Sequence, residues 1–381
     1  MYLKELILPA LLMMTPGVLV GSGNLSATSR HQTSHSDVTI HETASLPNDR
    51  IVIALQAVSP TKVFVAIESN PALGGNGSAT IYRTSDGGQN WTRVTKVSVG
   101  KQQGLFWFRF FNLNDGYLLV NGRSLWRTTN GGKSWGKTRL PSVTAREDIS
   151  FPTFAQGWIL QQGAAASGIQ SVHILHTSDG GREWSRIAST SHDSSSGLPL
   201  AGLKFGISFL NVDRGWMNGG WNTLGATWLY GSLDGGRRWS SIGIPLAPAL
   251  KSSELQIHIP RISSSGFGLL PLGAGKTQTV WYVSNDAGRT WVPSIHTSSR
   301  MISWSVAGNS GWISTSDELI ISHNRGISWR HNGIIHTHGT LRDLQFITPE
   351  SGWAILSYNI ISNTVVRSVD GGLKWSVMRL P

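Results

Sequence analysis

Short apolar segments alternate with polar turns along most of the chain, and one polar phrase returns seven times. In each copy a Ser or Thr is followed by Asp or Asn two residues later, by Gly four residues later and by Trp seven residues later. The copies, called the repeat turns below, begin at Thr84, Thr128, Thr177, Ser232, Ser284, Ser322 and Ser368. Successive copies lie 38 to 55 residues apart. Periods of this length are typical of solenoids, propellers and arrays.

The residues of each repeat turn predict a β-hairpin. Asp or Asn in a tight turn accepts backbone N–H bonds, and Gly supplies the positive φ that the turn needs. An apolar residue stands four positions before each Asp or Asn, so a strand enters the turn and the Trp begins the strand that leaves it. We expect these tryptophans to be mostly buried.

A second phrase precedes most repeat turns and adds another hairpin to each unit. It is an apolar strand and a turn that lead to Gly and an aromatic residue: Gly116-Tyr117, Gly157-Trp158, Gly215-Trp216 and Gly352-Trp353, with weaker forms at Gly266-Phe267 and Gly311-Trp312. Each unit therefore holds about four strands. Seven such units predict an all-β fold, a seven-bladed β-propeller over residues 51–381 with four-stranded blades. The two kinds of turn should share one face of the ring.

The repeat turn resembles the Asp-box, or bacterial neuraminidase repeat. Together with the Gly-Trp phrase, it is similar to the propellers of the photosystem II stability/assembly factor-like family. The resemblance covers the chain from about residue 51 to its end. It implies a propeller that serves as a platform for a protein chain or complex. Because one propeller fold carries many activities, the resemblance is stronger for fold than for function.

Composition narrows the chemistry. The chain has 381 residues, a formal net charge of +11 and no Cys. The lack of Cys excludes disulfides, thiolate metal sites and a cysteine nucleophile. The positive charge favours an anionic partner, such as an acidic protein segment or an anionic polymer, without selecting nucleic acid by sequence.

The N-terminal 50 residues differ from the repeats. Residues 1–22 contain Lys4 and an apolar run to Val20, which predict a signal peptide and a secreted or envelope location. A retained membrane anchor is the alternative, although the run is short and holds Pro9 and Pro16. Residues 23–50 are rich in Ser, Thr and His and are interpreted as a linker. Val38-Thr39-Ile40 could instead pair with a blade. We expect a monomer with no transmembrane segment in the mature chain.

The sequence offers no firm catalytic or metal site. The carboxylates of the repeat turns are expected to serve their own turns, because the Asn of two copies could not be a general base. A sialidase-like or other Asp-box glycoside hydrolase is the alternative function. The arginine motif of sialidases is absent; Ile259-Pro260-Arg261-Ile262 is a scrambled match, and Asp148 and Asp343 could reach the channel. His31, His35 and His41 lack a fixed ligand spacing, and His336 and His338 lie in a Gly-flanked link, where a solvated loop is the simpler interpretation, so we expect no metal and no cofactor.

Four cations share a position in their units. Arg146, Lys204 and Arg300 each stand eleven residues before the Gly of a Gly-aromatic pair, and Arg342 stands ten before Gly352. This register marks the start of the innermost strand, on the face opposite the repeat turns. The hypothesis is a basic ring that docks an acidic peptide or an anionic polymer; the alternative is ordinary surface cations of a basic protein. The sequence thus favours a non-catalytic binding or assembly platform.

Overall fold

The computed structural model describes residues 39–41, 50–69, 78–98, 107–120, 124–140, 146–190, 197–220, 224–333, 339–358 and 362–381. Within these ranges the protein is all-β, with one short 3-10 helix at Pro248–Ser252. No helix among the described residues has the length and apolar character needed to cross a bilayer.

Seven antiparallel sheets follow one another along the chain and form the seven predicted blades. Blade I contains β2 Arg50–Ala57, β3 Val63–Ser69, β4 Ser78–Thr84 and β5 Thr92–Ser98. Blade II contains β6 Trp107–Phe110, β7 Gly116–Val120, β8 Ser124–Thr128 and β9 Gly136–Arg139. Blade III contains β10 Arg146–Ser150, β11 Gly157–Ala166, β12 Ile169–Thr177 and β13 Ser185–Ser189. Blade IV contains β14 Leu203–Phe209, β15 Gly215–Gly220, β16 Leu229–Ser232 and β17 Ser240–Ser241. Blade V contains β18 Leu255–Ile257, β19 Arg261–Ile262, β20 Gly268–Ala274, β21 Gln278–Ser284 and β22 Val292–Thr297. Blade VI contains β23 Met301–Ala307, β24 Ser310–Thr315, β25 Glu318–Ser322 and β26 Arg330–Gly333. Blade VII contains β27 Thr340–Phe346, β28 Gly352–Ser357, β29 Asn363–Ser368 and β30 Lys374–Val377.

Blade V departs from the simple pattern in its innermost strand. Both β18 and β19 pair with β20, so the strand is interrupted at residues 258–260. Pro260 lies in the interruption, and proline has no N–H to donate to a ladder. Blade V therefore has two short inner strands where the other blades have one.

The ring closes by contact between the first and last blades. The backbone N–H of Leu55 in β2 donates to Asp343 of β27 at 3.1 Å, and that of Ala57 donates to Gln345 at 2.9 Å. A further short strand, β1 Thr39–His41, pairs in parallel with β30 and becomes the outermost strand of blade VII. The segment interpreted as a linker thus contributes one strand to the propeller.

Hydrogen bonds inside each repeat turn explain its residue pattern. In all seven turns the Ser or Thr hydroxyl donates to the Asp or Asn side chain at 2.7–3.0 Å. The same hydroxyl oxygen accepts the N–H of the Gly four residues on at 2.8–3.0 Å. The N–H one residue earlier donates to the turn between the first two strands of the same blade, as Gly131 does to Asn114. Both kinds of turn therefore lie on one face, as the sequence predicted.

Aromatic residues of the second strands connect blades to their neighbours through buried hydrogen bonds. Trp158 of blade III donates its indole N–H to the carbonyl of Gly235 at 2.8 Å, and Trp312 of blade VI donates to Gly371 at 2.7 Å. Both acceptors belong to the repeat turn of the following blade. These indoles are at most 1% exposed. Their burial and their hydrogen bonds hold the ring together from blade to blade.

The repeat-turn tryptophans pack against the core, as expected, and are buried to different degrees. Trp239, Trp291 and Trp375 are buried, whereas the other four, Trp91, Trp135, Trp184 and Trp329, are half-buried. All seven stand at the start of an outer strand, and the deepest contacts between blades belong to the second-strand aromatics.

Candidate functional site

The candidate site lies at the start of the innermost strands of blades VI and VII. Arg300 directly precedes β23, and Arg342 lies in β27, where it pairs with Ile355 of β28. The other ends of β23 and β27 meet the turns that share a face with the repeat turns. The two arginines are therefore on the opposite face, where the sequence placed them.

Arg342 and Arg300 lie near the starts of adjoining inner strands, which are joined where Leu344 of β27 donates its N–H to the Ser303 hydroxyl of β23 at 2.9 Å. Arg342 is half-buried and donates one Nη1 hydrogen bond to the Ser357 hydroxyl at 3.3 Å, while Arg300 is exposed. Burial lowers the pKa of Arg342 below its ordinary value; the negative charge of Asp343 opposes this shift, and the positive charge of Arg300 adds to it to a smaller extent. Two like charges held close together favour a shared anion, and guanidinium groups can bind carboxylate with two parallel hydrogen bonds.

Arg261 is a third arginine of this region, and sequence analysis noted it only as a scrambled sialidase motif. Its guanidinium carbon lies 4.5 Å from the centroid of the Trp304 ring of blade VI. Its Nη1 donates to the carbonyl of Leu344 in blade VII at 3.2 Å. The side chain thus extends from blade V across blade VI to blade VII. We call Arg261, Arg300 and Arg342 the arginine cluster.

The two carboxylates that could have formed a catalytic pair instead join neighbouring inner strands. Asp343 accepts from the N–H of Leu55 and, at 3.1 Å, from the side-chain amide of Gln345. Desolvation raises the pKa of Asp343, against the opposing effects of the Gln345 bond and the Arg261 charge. Asp148 of blade III accepts the N–H of Ile207 in blade IV at 2.8 Å. In the structure both carboxylates connect one blade to the next.

The carboxylates of the repeat turns are also committed to their turns. The backbone N–H of Asn90 leads a set of hydrogen bonds that lower the pKa of Asp86 to about 2. A group with so low a pKa is ionised at neutral pH and is a weak general base.

The prediction that Lys204 belongs to a basic ring at the mouth of the channel is wrong. It is fully buried. Its ammonium donates to the carbonyls of Gln170, Leu200, Ala201 and Gly202 at 2.7–3.2 Å. These carbonyls lie on β12 and on the link between blades III and IV, which folds over the side chain. Lys204 therefore does not offer its charge at the channel mouth.

The structure describes only some of the other residues that the sequence analysis singled out. Arg146 begins β10, where its backbone pairs with Gln162, and its side chain lies outside the described part of the structure. His31, His35, His336 and His338 also lie outside the described residues, and His41 is described only as a strand position. Within the described ranges no group of three or more His, Cys, Asp or Glu could hold a metal ion.

Comparison with known proteins agrees with the propeller fold. A family model described as Sortilin-Vps10 (Sortilin, neurotensin receptor 3) matches residues 79–196. No curated protein matches the sequence. The structure of YCF48 bound to D1 peptide is similar at a TM-score of 0.57 and 15% identity, over 89% of this chain and 99% of that one. YCF48 from Cyanidioschyzon merolae gives a TM-score of 0.52 at 13% identity, over 85% and 97% of the two chains.

A glycoside hydrolase is equally similar in fold. The GH74 xyloglucanase from Xanthomonas campestris has a TM-score of 0.56 and 15% identity, over 91% of this chain and 55% of that one. Identities this low show the fold alone. Propellers with such different roles share it, so function must be argued from the residues of this chain.

Proposed function

We propose that the protein is a non-catalytic, extracytoplasmic propeller of the Asp-box type that binds an acidic segment of a partner protein at the arginine cluster. The observation that carries the proposal is the placement of Arg300 and Arg342 near the starts of two adjoining inner strands, with Arg261 bonded to the carbonyl of Leu344 on the second of them. Among the described residues, the three arginines outnumber the one carboxylate that acts on them, Asp343, so a bound carboxylate still gains a net attraction.

The surroundings of the cluster favour a carboxylate ligand over chemistry on a substrate. Arg261 is oriented by Trp304 and by the Leu344 carbonyl, so its planar group has a fixed direction. Arg residues provide fixed, charged donors and have no proton to exchange near neutral pH. The nearby Asp343 is held by amide donors from two residues. The D1 peptide on YCF48, which has a similar fold, supports a peptide as the kind of ligand.

The experiment measures binding of a fluorescent acidic peptide to the wild type and to the Arg300→Gln/Arg342→Gln double variant. We expect the double variant to bind about tenfold more weakly or worse, since a hydrogen bond to a charged group contributes about 1.5–3 kcal/mol. The salt dependence of binding should also become shallower. The control is Arg93→Gln/Lys96→Gln, which removes two exposed charges from β5 of blade I.

Two results would overturn the proposal. One is equal peptide affinity of the wild type and the Arg300→Gln/Arg342→Gln variant at low salt. The other is saturable turnover of a glycan by the wild-type protein, which would establish the glycoside hydrolase alternative.

A further inference from the structure

The outer edge of blade VII shows how an extended segment adds to this propeller. β1 pairs in parallel with β30, with Thr39 opposite Lys374 and His41 opposite Ser376. An outermost strand presents unpaired N–H and C=O groups along its free side, and pairing satisfies them. In blade VII the chain itself supplies the added strand.

Blade III has an outer strand that carries no added strand within the described part of the structure. β13 is the last strand of its sheet, and it pairs with β12 alone. A groove of about 580 Å³ lies beside it, lined by Arg186, Ile187, Ala188 and Ser189 and by the repeat turn of blade IV. Because four consecutive residues of β13 line the groove, the groove follows the strand.

The groove is strongly basic. Arg186 of β13 and Arg237 and Arg238 of the blade IV repeat turn line it, and all three are exposed. None of the three forms an ion pair with a carboxylate among the described residues. The one carboxylate in the lining, Asp234, accepts the backbone N–H groups of Arg237 and Arg238 at 3.1 and 2.9 Å. The carboxylate of Asp234 is therefore engaged by the backbone of its own turn.

The field of these arginines acts on groups near the groove. Burial is the main cause of the lowered pKa of His173 and of His176, and the positive charges of Arg186 and Arg237, respectively, lower these values further. The guanidinium of Arg237 is oriented by a bond from Nη1 to the carbonyl of Asp234 at 3.1 Å. The groove therefore presents a fixed positive charge beside the outer strand of blade III.

The same arrangement occurs one blade earlier. A groove of about 370 Å³ lies beside β9, the outer strand of blade II, and its lining includes Arg127, Lys137 and Arg182. Arg182 belongs to the repeat turn of blade III, as Arg237 belongs to that of blade IV. Two basic grooves in succession arise from one architectural rule: the outer strand of a blade and the repeat turn of the next form the two walls.

We propose that the groove along β13 binds an extended acidic peptide segment of a partner protein, which adds to the edge of blade III as β1 adds to blade VII. Backbone pairing with β13 supplies the hydrogen bonds of strand addition, and the side chains of Arg186, Arg237 and Arg238 bind the carboxylates. A peptide is favoured over an anionic polysaccharide because the groove runs beside an outer strand, whose backbone can pair with that of another peptide. This site is separate from the arginine cluster.

The test uses the Arg300→Gln/Arg342→Gln protein, so that the arginine cluster contributes nothing to the signal. A fluorescent peptide of alternating Asp and Val is titrated into this protein and into the same protein carrying Arg186→Gln/Arg238→Gln. We expect the added substitutions to weaken binding about tenfold or more at low salt, with an unchanged melting temperature. Arg93→Gln/Lys96→Gln in the same background is the matched control and should leave binding unchanged.

Strand addition has a second readout. The same peptide with N-methyl groups at alternate residues, prepared in both registers, keeps its charge and loses backbone donors on one edge. We expect at least one register to bind about tenfold more weakly, and we expect the unmodified peptide to slow amide hydrogen exchange in residues 185–189. Equal binding of both methylated peptides would overturn the proposal in favour of charge alone, as for an anionic polymer. Unchanged affinity of the Arg186→Gln/Arg238→Gln protein would overturn the site. Neither result bears on the arginine cluster.

Discussion

The innermost strands of blades IV and VII are alike in sequence layout and differ in what surrounds their cations. β14 and β27 each have seven residues, carry one cation near the start and contain a bulge just after it. Lys204 of β14 is enclosed, and four carbonyls accept from its ammonium. Arg342 of β27 is half-buried, makes a hydrogen bond to one serine, and is subject to the charges of both Asp343 and Arg300.

This difference separates a structural cation, Lys204, from Arg342, which we propose to bind an anion. The ammonium of Lys204 has three N–H donors, and the four surrounding carbonyls engage them all. Its role is to fasten residues 200–202 of the link before blade IV. The Arg342 guanidinium has five N–H donors, and one of them is engaged by the Ser357 hydroxyl. An incoming anion therefore gains more at Arg342 than it could at Lys204.

Removing each cation in turn is the sharpest way to break this comparison. We expect Lys204→Met to lower the free energy of unfolding by about 3 kcal/mol, because it leaves several buried carbonyls without a donor. Arg342→Met should lower it by about 1 kcal/mol or less, because the group is partly solvated. Urea unfolding of both variants measures the difference. Equal losses in the two variants would show that the two cations do not differ in role.

The pH dependence of stability should distinguish the same two positions. Burial lowers the pKa of Lys204 from 10.5 to about 8. Between these values the unfolded chain binds the proton more tightly than the folded protein, so the free energy of unfolding should rise as the pH increases from about 8 to 10.5. The wild type should show this rise relative to Lys204→Met, since other titrating groups are common to both. A flat difference curve over this range would contradict the assignment.

The smallest expected effect concerns Asp343, the neighbour of Arg342. Asp343→Asn should change stability by about 1 kcal/mol or less near neutral pH, since the loss of one acceptor is offset by the removal of a desolvated charge. Asparagine also tolerates the positive φ of 48° at this position. Because the folded-state pKa of Asp343 is raised above 3.8, the wild type should lose stability relative to the variant as the pH rises from about 4 towards neutrality. Acid-to-neutral unfolding curves of both proteins test this; a relative gain by the wild type would contradict it.

The sequence by itself determined the repeating parts of this protein. Ser or Thr, Asp or Asn, Gly and Trp at fixed spacing encode the repeat turns through hydrogen bonds that span only a few residues. Seven copies fixed the number of blades, and the Gly-aromatic pairs placed the second strands. The positions of Arg300 and Arg342 at the starts of inner strands followed from the same local register.

Only the tertiary structure decided which groups surround the side chain at each of these positions. Register locates Lys204 and Arg342 along their strands, but the carbonyls around Lys204 come from a link and from another blade. Arg261 joins the arginine cluster through contacts with Trp304 and Leu344 of two later blades, and β1 closes on β30 from the far end of the chain. The physical reason is that a turn is stabilised by its own residues. The environment of a side chain between blades depends instead on how separate sheets pack, and no local pattern of residues specifies that packing.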